Sequence, residues 1–502
     1  MAAGRLLAGP GRRGTFFSMP KTTLVPVGGP CRRRGSAALL LAALASLGLA
    51  PVARAGGFLI YEHGAVATGM ADARTALADD LSALYFNPAA ITELPGLQLE
   101  LGVTGFLPYV SYRAARKTPD RTYLGRDAGG NLAQIPINDG QNDAQAKLRG
   151  FAPFHLYASY NFEPQGVALG LGVNNPFGLG TYWPQEWDGR FITTESELAT
   201  FFIQPTVALD IARWAGFRER LKLSVAAGYD LAYGSARLAN RIDLRFFEAF
   251  YPDVRGAEGE ARLRGDGLAH GFNLALYAEF PRIMALGISA RSGTDLPISG
   301  PAEFFFNTAG ERVRERMLSD IPSETKARFS LPLPWQLNLG LAFLGVERLK
   351  VAADLFFAFF ETFDEICVTF DCQEDARRPC PSLTQPPQEK NYHTSWQWSL
   401  GAEYQAFERI SARAGFAMSM SPVPAKTLSP DLPDGTQKNI SLGAGYRSGR
   451  FKADLGYMLG LWSVTKDNDV GGFDSAGNPQ GKANGTYTTV AHILALSVSF
   501  NL

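Results

Sequence analysis

From residue 97 to the end of the chain, apolar side chains recur at alternate positions over segment after segment. In Tyr487 to Leu502, Val490, Leu494, Leu496, Val498, Phe500 and Leu502 fall on one face, while Thr489, Ala491, Ala495, Ser497, Ser499 and Asn501 fall on the other. Only His492 and Ile493 interrupt this period of two, which is the spacing of a β-strand with unlike faces. The same reading predicts strands at 97–114, 150–162, 166–180, 197–211, 221–245, 267–280, 283–297, 333–346, 349–370, 395–406, 410–421, 438–447, 451–466 and 485–502. That makes fourteen, an even number, as a closed barrel of antiparallel strands requires.

The connectors sort by parity. Glu163-Pro164-Gln165, Pro281-Arg282, Glu347-Arg348, Phe407-Glu408-Arg409 and Ser448-Gly449-Arg450 are short, with 212–220 a longer exception. Those near 115–149, 181–196, 246–266, 298–332, 371–394, 422–437 and 467–484 are long. Short turns on one side and long loops on the other characterise an outer-membrane barrel, whereas a soluble sandwich has no reason to sort its loops. Trp335, Leu337, Leu339, Leu341 and Phe343 are expected to meet lipid, with Gln336, Asn338, Gly340 and Ala342 facing inward; Trp396, Trp398, Leu400, Ala402 and Tyr404 repeat the arrangement. In 221–245 the apolar residues change from odd to even positions at Leu238, Ile242 and Leu244, which implies a bulge there or emergence from the membrane. Residues 56–96 fit no strand. Short helical turns are expected at Ala65 to Met70 and Thr75 to Leu84, followed by Asn87-Pro88-Ala89, so this stretch is either a periplasmic tail or a plug of the lumen.

The first 55 residues contain eight basic side chains and no acid, and an apolar run from Ala37 to Ala50 precedes Ala53-Arg54-Ala55. This is the pattern of an export signal cleaved after Ala55, and Met19 is an alternative start. Without it the chain has 40 basic and 48 acidic residues, a formal charge of −8 that indicates no nucleic-acid surface. No later apolar run reaches the roughly 20 residues of a membrane helix. Cys367, Cys372 and Cys380 remain after processing; the simplest pairing joins Cys372 to Cys380 and leaves an odd thiol. A zinc site lacks a fourth ligand at recognisable spacing, His393 being thirteen residues past Cys380.

Several motifs resemble the FadL family of outer-membrane transporters for long-chain fatty acids and hydrocarbons. Gly56-Gly57-Phe58, Ala76-Leu77-Ala78-Asp79-Asp80 and Phe86-Asn87-Pro88-Ala89 are similar to its N-terminal hatch. Gly170 to Gly180 and Trp187-Asp188-Gly189-Arg190 resemble its third strand and the region after it. Leu331-Pro332-Leu333-Pro334, Phe363-Asp364-Glu365, Pro422-Val423-Pro424, Leu432-Pro433-Asp434-Gly435 and Leu442 to Tyr446 resemble its C-terminal half. The chain departs from the family's usual terminal Phe by ending in Leu502, with Phe500 two positions earlier. The resemblance implies an all-β, fourteen-stranded transmembrane barrel (97–502) plugged by a hatch with short helices (56–96) after a signal peptide (1–55). It implies apolar capture among outer loops, an interior site, and sideways exit at a kinked third strand. Gly56, Phe58, Asn87, Pro88 and Ala89 are the expected gate and hatch residues.

The residues themselves offer matching candidates. Phe246, Phe247, Phe250 and Tyr251, then Phe304, Phe305, Phe306, Met317, Leu318 and Ile321, fall in predicted loops; they either line a capture groove or pack loop against loop. Asn175-Pro176-Phe177-Gly178 breaks an alternating strand where proline cannot donate to the ladder, so it is a kink or a strand end. Among Lys222, Lys350, Lys452, Arg237, Arg241 and Arg245 no single cation stands out as the partner of a carboxylate head group. The five histidines lie in no nucleophile motif, which argues against an enzyme, and inward Phe356 and Phe360 argue against a general porin. The expected partners are hydrophobic small molecules, outer-membrane lipids and, during biogenesis, the barrel assembly machinery. The expected state is a monomer in the bacterial outer membrane, with no cofactor, no metal, no chemistry and passive diffusion of cargo.

Overall fold

The computed structural model describes residues 56–115, 122–127, 129–136, 142–371, 388–473, 479–480 and 482–502; the expected signal peptide lies outside them. Fourteen strands form the wall: β1 Leu97–Ala114, β2 Phe154–Phe162, β3 in two pieces Val167–Asn174 and Gly178–Tyr182, β4 Glu195–Asp210 and β5 Lys222–Asp243. β6 Glu258–Phe280 follows, then β7 in two pieces Met284–Arg291 and Thr294–Phe306, β8 in two pieces Glu324–Leu333 and Trp335–Val346, and β9 Leu349–Phe359. β10 Ser395–Phe407, β11 Ile410–Ser419, β12 Gln437–Ser448, β13 Phe451–Lys466 and β14 Gly485–Asn501 complete it. Each is antiparallel to the next, and β14 closes on β1 from Gln98↔Asn501 to Ala114↔Gly485. Closure pairs the first strand with the last, which is what lets strands cross a membrane.

The faces follow the alternation. Leu494, Leu496 and Phe500 are half exposed on the outer wall, while Ala495 and Ser497 are buried inside. His492 takes an outer position, its Nδ1 2.8 Å from the Tyr457 hydroxyl, and Ile493 packs inside with Ala71, Ala417 and Met458.

Three strands are longer than expected and one is shorter. β6 starts at Glu258 rather than 267, β7 runs to Phe306, β8 starts at Glu324, and β9 ends at Phe359 before a turn at Phe360–Thr362. The register of β5 with β6 runs without a shift from Lys222↔Glu279 to Asp243↔Glu258, so the phase change near Leu238 is emergence from the membrane and not a bulge on this pair. Above the lipid the outer face meets water and turns charged, while the inner face, with Ile298, Phe304, Phe329 and Leu331 buried, turns apolar. The hydrophobic pattern therefore inverts along one continuous strand, and it reads as a loop.

Residues 56–96 are a plug. Helix α1 Ala65–Gly69, helix α2 Ala83–Phe86 and a 3-10 turn Pro88–Glu93 fill the lumen; the expected helix within Thr75 to Leu84 is instead an irregular stretch ahead of α2. Small inward residues make room: a Cβ on Gly415 would stand 2.4 Å from the Met70 carbonyl carbon, and one on Gly456 2.4 Å from the Ala65 oxygen. The plug is also tied by charge. Arg74 pairs with Asp79 and, at 2.8 Å, with Asp80; Lys350 of β9 reaches Asp79 and, at 3.1 Å, Glu403 of β10. Arg413 of β11 then joins Glu403 at 2.6 Å to Asp454 of β13 at 2.8 Å. Such charges are tolerated in a low-dielectric lumen because each is paired and hydrogen-bonded.

One cysteine expectation is corrected. Cys367 is disulfide-bonded, so it is not the odd thiol left by a Cys372 to Cys380 bridge. Its partner lies outside the described residues, as do Cys372 and Cys380.

Candidate transport path and its gate

The third strand breaks at the expected residues. The register against β4 runs to Asn174↔Phe202 and resumes at Gly178↔Ala199, so Asn175, Pro176 and Phe177 oppose only two residues, Thr200 and Phe201. The extra residue bends the strand, and side chains replace the lost ladder. Asn175 Nδ2 donates to the Thr200 carbonyl at 2.6 Å and its Oδ1 accepts from Phe154 N at 3.0 Å. Thr200 Oγ1 donates to the Phe177 carbonyl at 2.8 Å and accepts from Phe177 N at 3.1 Å.

On the other edge the ladder with β2 ends at Leu156↔Val173, and among the described residues Gly178–Tyr182 has no partner strand there, only a backbone bond from Lys147 N to the Tyr182 carbonyl at 2.7 Å. The chain leading into β2 follows β1 instead, with Phe106 and Phe151 exchanging backbone hydrogen bonds at 2.7 and 3.0 Å. A seam therefore opens between this segment and the second half of β3. It is stoppered by side chains: a Cβ on Gly180 would fall 1.6 Å from the Phe151 ring, and one on Gly178 2.7 Å from Ile60 Cδ1.

Ile60 belongs to the hatch, whose tip is clipped to the break. Ile60 N donates to the Pro176 carbonyl at 3.0 Å and Gly178 N to the Phe58 carbonyl at 2.9 Å, making a one-residue bridge, Leu59↔Phe177. The Phe58 and Phe177 rings lie 5.9 Å apart, and both are buried. The expected gate residue Phe58 and the expected kink residues are thus brought into direct contact. Gly56 is buried beside the Tyr61 ring. Gly57 N donates at 2.8 Å to Asp434, which lies in the segment between β11 and β12 and also accepts from Ser421 Oγ at 2.7 Å. Burial pushes the Asp434 carboxyl up to about 7.

Asn87, Pro88 and Ala89 lie deeper. Asn87 caps the 3-10 turn by accepting from Ala89 N at 3.2 Å, and its Nδ2 donates to Thr75 O at 2.8 Å and Leu276 O of β6 at 3.0 Å. The structure thus places this trio away from the seam, where it fastens the base of the hatch to the wall.

Above the tip the interior is one chamber filled by packed apolar side chains. Phe58, Tyr61 and Phe177 pack with Phe202, Leu296, Ile298, Phe304, Phe329, Phe356 and Phe360 and with loop residues Tyr392, Leu428 and Leu432. The expected capture aromatics divide, because three of them stand on β7 and not in a loop. Phe304 faces the chamber, Phe305 faces outward beneath Arg262 at 4.6 Å, and Phe306 is half-buried. Phe246, Phe247 and Phe250 cluster on the rim at 5.8 and 5.4 Å, with Phe250 60% exposed, and Tyr251 lies 3.7 Å from the Met317 sulfur at the end of helix Thr308–Met317. Phe247 and Tyr251 pack on a rim core of Leu244, Val254 and Val313, and Phe306, Leu318 and Ile242 touch both this core and the chamber. Apolar contact is therefore continuous from rim to gate.

The candidate cations are held by acids: Lys222 by Glu93 and Glu279, Lys350 and Lys452 in the plug network, Arg241 by Glu258, Arg245 by Asp243, and Arg237 loosely by Glu197 at 3.7 Å. Sequence reading missed the tether at Asp434, the clasp at Thr200 and the stopper pair Ile60 and Phe151, all of which act through partners on other elements.

A closed barrel, plugged inside and carrying an apolar chamber beside a broken strand, defines a class of outer-membrane transporter for hydrophobic compounds. The family model of outer membrane protein transport proteins (OMPP1/FadL/TodX) matches residues 46–502, and the chain belongs to this family. It is similar to a putative outer membrane protein of Neisseria meningitidis serogroup B, 23% identical over 420 residues covering 79% of this chain and 84% of that one. Outer membrane protein P1 of Haemophilus influenzae is 21% identical over 443 residues, 83% of this chain and 88% of that one. Among solved structures a Pseudomonas aeruginosa FadL homologue matches with a TM-score of 0.73 at 18% identity, covering 89% of this chain and 99% of its own. The Pseudomonas putida toluene transporter TodX matches at 0.63 with 17% identity, covering 89% and 99%. The protein is thus an outer-membrane transport protein for hydrophobic compounds and not an enzyme.

Proposed function

We propose that the protein takes up long-chain fatty acids or related lipids by passive diffusion, with sideways exit into the membrane at the break in β3. Apolar solutes bind the rim aromatics, pass by Phe306 and Leu318 into the chamber, and leave between Phe151 and Gly180 when the tip Phe58 to Ile60 withdraws. The observation that carries this reading is the clip of Phe58 and Ile60 onto Gly178 and Pro176, which sets the hatch tip across the seam. Two such bonds are worth about 1 kcal/mol each net, and withdrawal of the tip also has to release Gly57 N from Asp434 and unpack the buried Phe58 ring. A lateral route keeps apolar cargo out of water, where exposing each buried CH₂ costs about 0.8 kcal/mol.

A second reading, uptake of aromatic or alkane hydrocarbons, is favoured by one observation. The candidate interior cations are already neutralised by acids, which leaves them poorly placed to receive an ionised head group.

Cysteines at the bridged pair Leu59 and Phe177 test the exit, since bridge partners lie within disulfide reach. Oxidised Leu59→Cys/Phe177→Cys protein should lose uptake of labelled oleate and toluene, and reduction should restore it. Unchanged uptake with the bond formed excludes the lateral gate. Uptake of only one solute by the reduced protein decides between the two substrates.

A further inference from the structure

The wall that rises above the lipid carries an arrangement of charge that transport does not use. Along one height the register runs from Glu197 of β4 to Arg237 of β5 and Arg264 of β6, and β8 sets Lys326 opposite Pro301 of β7. Arg237 and Arg264 are direct cross-strand partners, both pointing away from the barrel, with the Arg237 side chain 55% exposed. Like charges facing each other on an antiparallel pair are destabilising unless an anion lies between them. The local acids do not supply it. Glu260 is 2.8 Å from Arg262, Asp371 is engaged by Arg328, and Glu197 comes no nearer Arg237 than 3.7 Å. Asp266 follows Arg264 on the same face, and among the described residues Asp266, Arg264 and Lys326 make no ion pair.

What lies below identifies the anion. Two outward positions down from Arg237 is Tyr233, 39% exposed, whose register partner Leu268 is 54% exposed. Tyr233 continues an aromatic row through Phe201 at 6.4 Å to Phe154 at 5.9 Å. Aromatic rows of this kind mark the membrane interface. Four residues of tilted strand rise about 10 Å, which places the three cations at the level of the outer leaflet's head groups, with its acyl chains beside the aromatic row.

We propose that Arg237, Arg264 and Lys326 bind a phosphorylated glycolipid of the outer leaflet. Its phosphate sits between Arg237 and Arg264, with Lys326 supplying a third positive charge, and its acyl chains cover Phe201, Tyr233 and Leu268. Arginine suits this task because its guanidinium donates to phosphate oxygens two at a time. The site is on the outer wall and not in the lumen, with Phe201 at its edge beside the break in β3.

The test uses the full processed chain purified in detergent, with lipopolysaccharide, the same lipopolysaccharide after phosphatase treatment, and inorganic phosphate as probes. Native mass spectrometry reads binding. Intact lipopolysaccharide should bind the wild type and bind Arg237→Gln/Arg264→Gln about tenfold more weakly, the scale of losing two solvent-exposed ionic contacts. The dephosphorylated form should bind both proteins equally weakly, and inorganic phosphate at equal molarity should not compete. Equal binding of intact lipopolysaccharide to both proteins overturns the proposal, as does equal binding of the two lipid forms to the wild type. Competition by inorganic phosphate also overturns it, because the site then takes a free anion. If the double variant fails to fold, Lys326→Gln serves instead: weakened binding supports the site and unchanged binding excludes it.

Discussion

Replacing Arg413 with methionine tests whether paired charge fastens the plug's socket. In the wild type its Nε donates to Glu403 at 2.6 Å and its Nη1 to Asp454 at 2.8 Å, with the Arg413 and Asp454 side chains 1% and 0% exposed. Methionine fills much of the same volume but leaves two acids without their shared cation. Glu403 keeps Lys350 at 3.1 Å, whereas Asp454 keeps only Lys452 at 3.4 Å. Removing one member of a buried ion network costs about 3–5 kcal/mol, and the retained lysines place the expected loss near about 3. Urea unfolding of the refolded barrel, followed by tryptophan fluorescence, measures it. Arg413→Met/Asp454→Leu should recover part of the loss because no acid is left unpaired. A single variant within about 0.5 kcal/mol of the wild type, the scatter of neutral surface changes, refutes the account of the network.

Asp434→Asn probes the tether of the hatch tip. Its folded carboxyl titrates at about 7, above the ordinary 3.8, so between those values the folded chain holds a proton that the unfolded chain has released. The Asp434 contribution is therefore most favourable below about pH 4 and falls as pH rises to about 7. Comparison of unfolding at pH 5 and pH 8 should show this slope in the wild type and a flatter one in the variant; identical slopes contradict it. Thr200→Val removes the hydroxyl that clasps both backbone groups of Phe177 and should destabilise by about 1–3 kcal/mol while making the seam leakier to small apolar dyes. Deleting Gly56 to Gly96 should raise bilayer conductance, because the plug occupies the lumen. Conductance equal to the wild type removes the case for a plug.

Strand number, closure and lipid-facing positions were legible in the sequence because a membrane wall imposes one rule, apolar outward and small or polar inward, at every second residue. Where that rule changed, boundaries were lost. Phe304 to Phe306 looked like loop residues because above the membrane water lies outside and the apolar chamber inside, which reverses the pattern without ending the strand. The break in β3 was visible in Asn175-Pro176-Phe177-Gly178, since proline and glycine mark it locally. What mends and stops that break was not visible. Thr200, Ile60 and Phe151 carry no mark in their own segments, and Asp434, though part of Leu432-Pro433-Asp434-Gly435, shows no partner there; folding brings 57–60 against 176–178 and 434. Period and composition are properties of neighbours in the chain, and they determined the barrel. The stoppered break depends on hydrogen bonds and packing between segments from 23 to 377 positions apart, which only the folded barrel brings together.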